Sequence, residues 1–153
     1  MSGEIIETTG STDGVSEMLS NAGYSEKAIQ YYLEKPYMGS LPDADQVSEM
    51  TGTCGDTMAV YLKVAQGKVT DVMYQVMGCA GAISAAMAVV DLIKGKDLDL
   101  VKGKTIEDAR SLEDGDIFRV LQDIPVKKHH CIQLAVKALH KTIDAYRQRH
   151  PVS

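Results

Sequence analysis

The sequence predicts an α+β fold in which a small three-stranded antiparallel sheet packs against several helices. Residues 57–77 contain two runs of alternating apolar and polar residues joined by Gln66-Gly67, a pattern typical of a β-hairpin. A nearly all-apolar run from Cys79 to Lys94 and a long amphipathic stretch near the C-terminus indicate helices. A chain of 153 residues, 44% of them hydrophobic, is long enough to form one domain with a full core.

The N-terminal part is predicted to hold an extension followed by a helix. We assign residues 1–23 to an extension that is partly disordered or a short helix, and residues 24–150 to the main domain. Ser25 is a plausible N-cap for the first helix of that domain, and Pro36 stops this helix. A short strand is expected near residues 46–50, beside the hairpin.

The hairpin predicts that two cysteines are close in space. Cys54 precedes its first strand and Cys79 follows its second, and strands joined by so short a turn are antiparallel neighbours. Both cysteines therefore belong at the same end of the sheet. Gly78 permits a sharp turn, after which Cys79 stands at a helix N-terminus, where the backbone N–H groups stabilise a thiolate. The alternative interpretation of Cys79 is an inert core cysteine.

The C-terminal half is predicted to be helical. Short helical patterns end at Pro125, and a long terminal helix carries His130-Cys131 in its first turn and ends before Pro151. The short patterns lie around residues 98–101, 105–112 and 117–121. A second thiol, with an imidazole beside it, is thus placed at a helix N-terminus.

Composition narrows the classes of function. Three cysteines are an odd number, which makes a pure disulfide framework improbable, and the sequence shows no signal peptide, so we expect a cytoplasmic protein. The net charge of -5 argues against nucleic-acid binding. The apolar run ending at Lys94 is shorter than the ~20 residues that cross a bilayer, so no membrane contact is expected.

Five residues form the candidate site. Together they supply three thiolates, one carboxylate and one imidazole, which are enough for a tetrahedral metal site. They are Cys54, Asp56, Cys79, His130 and Cys131. Each piece also has a local interpretation, because an Asp beside a Gly commonly caps a turn and a His-Cys pair can be a half-buried helix start.

At these residues the sequence resembles the IscU-type, NifU N-terminal-like scaffolds for iron-sulfur cluster assembly. The likeness extends from Tyr24 to Tyr146. The segments that carry it are Tyr24-Ser25-Glu26-Lys27, Cys54-Gly55-Asp56, Gly78-Cys79 with Ala82-Ile83-Ser84, Ile93-Lys94-Gly95-Lys96, and Pro125-Val126-Lys127 with His130-Cys131. Three cysteines in three separate family contexts are a more specific signal than any one motif. The resemblance implies the IscU/NifU-N fold, in agreement with the pattern-based prediction.

The resemblance also implies a function. The three cysteines, Asp56 and His130 would form the assembly site for a labile 2Fe-2S cluster, and Cys131 would accept persulfide sulfur from a cysteine desulfurase. Iron, electron donors such as ferredoxin, and apo-protein or carrier acceptors would be the other partners. Lys127 and Lys128 are both candidates for the family's assisting lysine, and the spacing to Cys131 favours Lys128. The oxygen ligand Asp56 is harder and weaker than a thiolate, which suits a cluster that must leave. Such a protein is a scaffold and not an enzyme, and the resemblance fits a monomer or a homodimer.

The sequence departs from the family in one segment. Residues 123–127 read Asp-Ile-Pro-Val-Lys where the family commonly has Leu-Pro-Pro-Val-Lys, the recognition site of an Hsp70-type chaperone, so the resemblance does not carry chaperone binding to this chain. An extra residue follows, so two histidines, His129 and His130, precede Cys131, and His129 could substitute for His130 as the ligand. Adjacency favours His130 as the ligand.

Two other classes of function use the same residues. A permanent zinc ion on these residues would make the protein a structural or regulatory module. Bound zinc also suits a scaffold that acquired zinc adventitiously, and only exchange for iron and sulfide separates the two. Alternatively, Cys131 and His130 could act as nucleophile and base in a thiol enzyme. Against that reading, adjacent residues seldom direct their side chains at each other.

Overall fold

The structure, a computed structural model, describes residues 14–94 and 105–150. It confirms the predicted α+β fold. In chain order the elements are α1 (residues 14–21), α2 (Glu26–Glu34), β1 (Gln46–Thr51), β2 (Thr57–Ala65), β3 (Lys68–Met77), α3 (Ala80–Lys94), α4 (Ile106–Arg110), α5 (Asp114–Leu121), a 3-10 turn (Val126–Lys128) and α6 (His129–Arg149). The helical pattern predicted at residues 98–101 lies outside the described residues.

The three strands form one antiparallel sheet in the order β1-β2-β3. Gln66 and Gly67, which connect β2 to β3, both have left-handed backbone angles, with φ of 54° and 76°. Two such residues give a hairpin turn whose twist matches that of the strands. The resulting register pairs Thr57 with Met77. The residues before β2 and after β3 therefore lie at the same end of the sheet, as the sequence predicts.

One face of the sheet packs against α3 and α6. The middle of α3 is buried on all sides, from Ala82 to Val90, because it lies among α2, α6 and β3. Leu139 and Ile143 of α6 are fully buried in the same core. Burial of each such side chain is worth about 1.5–3 kcal/mol. The hydroxyl of Tyr74 on β3 donates to the Ala135 carbonyl at 2.8 Å, which fixes α6 against the sheet.

The N-terminal helices begin where the sequence predicts. The Ser25 hydroxyl accepts a hydrogen bond from the Ala28 N–H at 3.0 Å and caps α2, and Lys35 ends the helix in a left-handed conformation. Part of the predicted extension is helical, because α1 covers residues 14–21. Val15 and Leu19 pack this helix against the core. The division at residue 23 stays a prediction.

A buried carboxylate connects α2 to α3. Asp91 accepts hydrogen bonds from the Tyr31 hydroxyl at 2.5 Å and the Tyr37 hydroxyl at 3.0 Å. Burial, followed by these bonds, raises the pKa of Tyr31, and raises that of Tyr37 to about 12. Both phenols thus stay protonated donors at neutral pH. None of the described helices is long and apolar enough to cross a membrane.

Candidate metal and cluster site

The site lies at the end of the sheet where β2 begins and β3 ends. The first contribution is the loop between β1 and β2, which carries Cys54 and Asp56. Gly55 separates them with a φ of +92°, a conformation that residues with a Cβ rarely adopt. The Gly52 N–H donates to the Asp56 carbonyl at 2.8 Å and closes the loop. A cysteine and an aspartate two residues apart are thereby held on one tight turn.

The second contribution is the start of α3. Cys79 immediately precedes this helix, and its carbonyl accepts from the Ile83 N–H at 3.1 Å, so it lies at the predicted helix N-terminus. The chain bends at Gly78, as the sequence predicts, although the φ of this residue is outside the left-handed region. A Cβ at Gly78 would lie 2.7 Å from Cγ of Asp56. Gly78 therefore makes room for the carboxyl group.

The third contribution is the first turn of α6. The Nε2 atom of His130 lies 3.1 Å from Sγ of Cys54 and 3.7 Å from Sγ of Cys131. His129 is directed elsewhere: its ring meets the ring of Phe118 edge to face, with centroids 5.0 Å apart. Of the two adjacent histidines, the structure thus places His130 at the cysteines.

The five candidate side chains come together as two overlapping groups. Cys54, Asp56 and His130 have potential ligand atoms within 4.8 Å of one another, and so do Asp56, Cys79 and Cys131. Asp56 is common to both groups. Its Oδ2 atom lies 3.4 Å from Sγ of Cys79 and 4.0 Å from Sγ of Cys131, and the two sulfurs are 3.7 Å apart. The arrangement can hold a metal ion in either group.

The three thiols differ in exposure. Cys54 is exposed, Cys79 is half-buried and Cys131 is fully buried. The hydrogen bond from the Cys131 thiol, helped by the Ala82 N–H, lowers the pKa of Cys79 to about 6. The same bond and burial raise the pKa of Cys131. Cys131 is therefore not an exposed thiolate in this structure, because its side chain is buried and the lowered pKa belongs to the more accessible Cys79.

Other residues surround the thiols. The charge of Cys79 raises the pKa of the nearby Lys128 amine. A Cβ at Gly81 would lie 3.4 Å from both Sγ of Cys131 and the Tyr24 hydroxyl, and 3.2 Å from Cβ of Lys128. Tyr24 and Gly81 were not among our predicted site residues. For Gly81 the sequence signal is the run Gly78-Cys79-Ala80-Gly81, since small residues around a cysteine permit close approach.

Comparison with known proteins identifies the family. The profile of the NifU-like N-terminal domain matches residues 23–152. The chain belongs to the NifU-like N-terminal domain family. Among relatives of this family, the iron-sulfur cluster assembly scaffold protein IscU 1 of Archaeoglobus fulgidus is 32% identical over 124 residues, covering 80% of this chain and 76% of the relative. The protein of Escherichia coli K12 called iron-sulfur cluster assembly scaffold protein IscU is 33% identical over 131 residues, covering 82% and 95%.

Solved structures of NifU-like proteins have the same fold. A putative scaffold for the SUF system from Fervidobacterium islandicum aligns with a TM-score of 0.60 and 20% identity, covering 78% of this chain and 96% of that one. The N-terminal part of a NifU-like protein from Brucella abortus also gives 0.60, with 21% identity and coverage of 82% and 94%. The predicted family and fold are thus confirmed.

Proposed function

We propose that this member of the NifU-like family is a scaffold on which an iron-sulfur cluster is assembled and from which it is transferred. The observation that carries the proposal is the pair of three-ligand groups that share Asp56. A 2Fe-2S cluster needs ligands for two irons that lie close together, and thiolates are its usual ligands. The names of the relatives support the same role.

The spacing of the ligands suits a tetrahedral ion. Two thiolates that bind one metal at about 2.3 Å and a tetrahedral angle lie about 3.8 Å apart. The sulfurs of Cys79 and Cys131 are 3.7 Å apart, so this pair needs little rearrangement to bind iron. Asp56 lies 3.4 Å from Cys79 and is placed to add a carboxylate oxygen. Cys54 is the most exposed ligand, which suits the side from which iron enters and the cluster leaves.

Sulfur acceptance is assigned to Cys131, as the family resemblance implies. In this step the Cys131 thiol first passes its proton to the Cys79 thiolate, whose sulfur is 3.7 Å away. The Cys131 thiolate then attacks the outer sulfur of the donor's persulfide, a new S–S bond forms at Cys131, and the donor leaves as a thiolate. Two electrons from an electron donor such as ferredoxin then release the sulfur as sulfide. Because Cys131 is fully buried, the Cys54 loop or the first turn of α6 must move before the donor reaches it. Lys128 is placed to balance the negative charge at the thiols.

Anaerobic reconstitution tests the scaffold proposal. The protein is incubated with ferrous iron, cysteine and a catalytic amount of cysteine desulfurase, and then mixed with an apo-ferredoxin. We expect visible absorption of a cluster, equal iron and sulfide content, and transfer to the ferredoxin. Replacement of Cys54, Cys79 or Cys131 with alanine is expected to abolish stable assembly. His130→Ala should weaken it, whereas His129→Ala is the matched control, because His129 contacts Phe118.

A permanent zinc module is the second candidate. The observation that favours it is the same tetrahedral spacing of Cys79, Cys131 and Asp56, which also fits Zn²⁺. Exchange separates the two functions. A scaffold isolated with zinc forms a cluster when iron and sulfide are supplied, whereas a structural zinc resists replacement and no cluster forms. The second result would refute assembly and leave zinc binding as the function.

A further inference from the structure

A groove lies between α1 and α2 on the surface. Its volume is about 590 Å³. It is lined by Ser16, Glu17, Ser20 and Asn21 of α1 and by Glu26, Ile29, Gln30, Leu33 and Glu34 of α2. Ile29 and Leu33 form an apolar floor, and the side chain of Leu33 is 37% exposed although it is a large hydrophobic residue. The three glutamates supply the charge of the groove.

The acidic side chains of α2 and the lysines of the same segment lie in different places. Glu26 and Glu34 line the groove, whereas the two lysines of this segment are held on aromatic rings. The amine of Lys27 lies 4.8 Å from the centroid of the Tyr31 ring, and that of Lys35 lies 4.2 Å from the centroid of the Tyr32 ring. Neither lysine lines the groove. Within the part of the chain that the structure describes, the rim therefore carries negative charge, and no cation lines the groove.

The α1 wall is a fixed part of the fold. Leu19 is buried and Val15 packs against the core, which directs Ser16, Glu17, Ser20 and Asn21 to the groove side of the helix. This wall lies before residue 23, where the match to the family begins. The groove is thus made jointly by a helix outside the family match and the first helix within it.

We propose that the α1–α2 groove binds a short, basic amphipathic helix of a protein partner. An amphipathic helix in a groove between two helices places its apolar face on the floor, here Ile29 and Leu33. Its flanking lysines or arginines meet Glu17, Glu26 and Glu34, and opposite charges at the rim steer association. The eight residues of α1 and nine of α2 give walls about 12–14 Å long, enough for two to three turns.

Binding of a model helix tests the proposal on the full chain. The probe is a fluorescein-labelled 14-residue peptide of leucine and lysine, with its leucines on one helical face, measured by fluorescence anisotropy at near-physiological salt. A peptide of the same composition, shuffled so that the leucines share no face, has the same charge. We expect the amphipathic peptide to bind at least tenfold more tightly than the shuffled one. Equal affinities for the amphipathic and the shuffled peptide would mean that charge alone causes the binding, and would overturn the proposal.

Variants of the chain locate the binding. The double variant L33S/E17Q removes part of the apolar floor and one charge of the rim. We expect it to bind the amphipathic peptide at least tenfold more weakly than the parent chain does. The matched control V47S/E49Q changes the same chemical groups on β1, where Val47 is 46% exposed, and should bind like the parent chain. Circular dichroism verifies that both variants fold, and zinc binding should be the same in both.

The other occupants of the groove give different results. If residues 1–13 or a second copy of the chain fill it, the peptide does not bind to the full chain, and the proposal is wrong. Loss of binding in V47S/E49Q as well as in L33S/E17Q would also overturn it. Because these measurements use apo-protein and a peptide, failure of cluster assembly would leave their outcome unchanged.

Discussion

Gly78 and Asp56 approach each other so closely that a Cβ on Gly78 would lie 2.7 Å from Cγ of Asp56. Real Cβ atoms do not tolerate such a contact, so any larger residue at position 78 must displace the carboxyl group or the strand end. Asp56 belongs to both three-ligand groups of the site. The glycine that follows β3 therefore determines the position of the carboxyl group that both candidate groups share.

Gly78→Ala is expected to weaken metal binding by at least about tenfold, the usual effect of disturbing a residue that orients a ligand. The reason is the displacement of Asp56 by the new methyl group. Competition of the protein with a chelator for Zn²⁺ measures the affinity. Gly14→Ala is the control, because a Cβ at that position would meet no atom within 4 Å. An unchanged zinc affinity in Gly78→Ala would show that Asp56 does not bind the metal.

Asp56→Ala is expected to slow cluster release. The carboxylate is the one hard oxygen ligand among the five candidates. Without it the cluster would be held by the cysteines and His130 alone, which are softer ligands and bind iron more tightly. The rate of transfer from the loaded variant to an apo-ferredoxin measures the effect, with Asp114→Ala as a control on the surface of α5. Transfer at the parent rate would contradict the role of Asp56 in lability.

The reactivity of Cys79 should depend on pH with a midpoint near 6. The pKa of this thiol is lowered from 9.0 to about 6, so the thiolate forms as the pH rises through 6 and dominates at neutral pH. Iodoacetamide alkylation followed by mass spectrometry of the peptide containing Cys79 measures the midpoint. In Cys131→Ala the stabilising hydrogen bond is lost, and the midpoint should move upward toward 9. The same peptide in urea-unfolded protein provides the reference, and a midpoint equal to it in the folded parent would contradict this assignment.

Asp91→Ala should lower the free energy of unfolding by about 2–4 kcal/mol, because the hydroxyls of Tyr31 and Tyr37 lose the buried acceptor that they share. Urea denaturation measures the change. Tyr31→Phe removes only one of the two bonds and should cost less. In a double-mutant cycle, the combined Tyr31→Phe/Asp91→Ala variant should be more stable than the sum of the single changes predicts. Additive effects would mean that the 2.5 Å contact contributes no coupling energy.

Much of the fold was readable from local sequence patterns. The alternation of apolar and polar residues over positions 57–77 predicted β2 and β3, and Ser25 and Pro36 predicted the limits of α2. These predictions are possible because the two-residue period of a strand, helix capping and the effect of proline each depend on only a few neighbouring residues. The position of Cys54 and Cys79 at one end of the sheet followed from the hairpin alone. These features need no knowledge of distant contacts.

The candidate site was only partly readable. The five candidate ligand residues could be named, but a choice between His129 and His130 depends on which side of α6 faces the cysteines. Phe118 on α5 contacts His129, and this contact joins helices that are separate in the chain. The close approach of Gly78 to Asp56 and the position of Tyr24 beside the thiols likewise depend on how loops and helices meet.

The sequence by itself determined the strands, most helix limits, the family likeness and the chemical types of the ligands, because these depend on residue identity and local spacing. Only the tertiary structure decided that Cys131 is buried, that Cys79 has the lowered pKa and that Asp56 is shared by two ligand groups. Burial and pKa depend on the atoms that surround a group in space. Those atoms come from the β1–β2 loop and from the starts of α3 and α6, which the chain brings together only when the core forms.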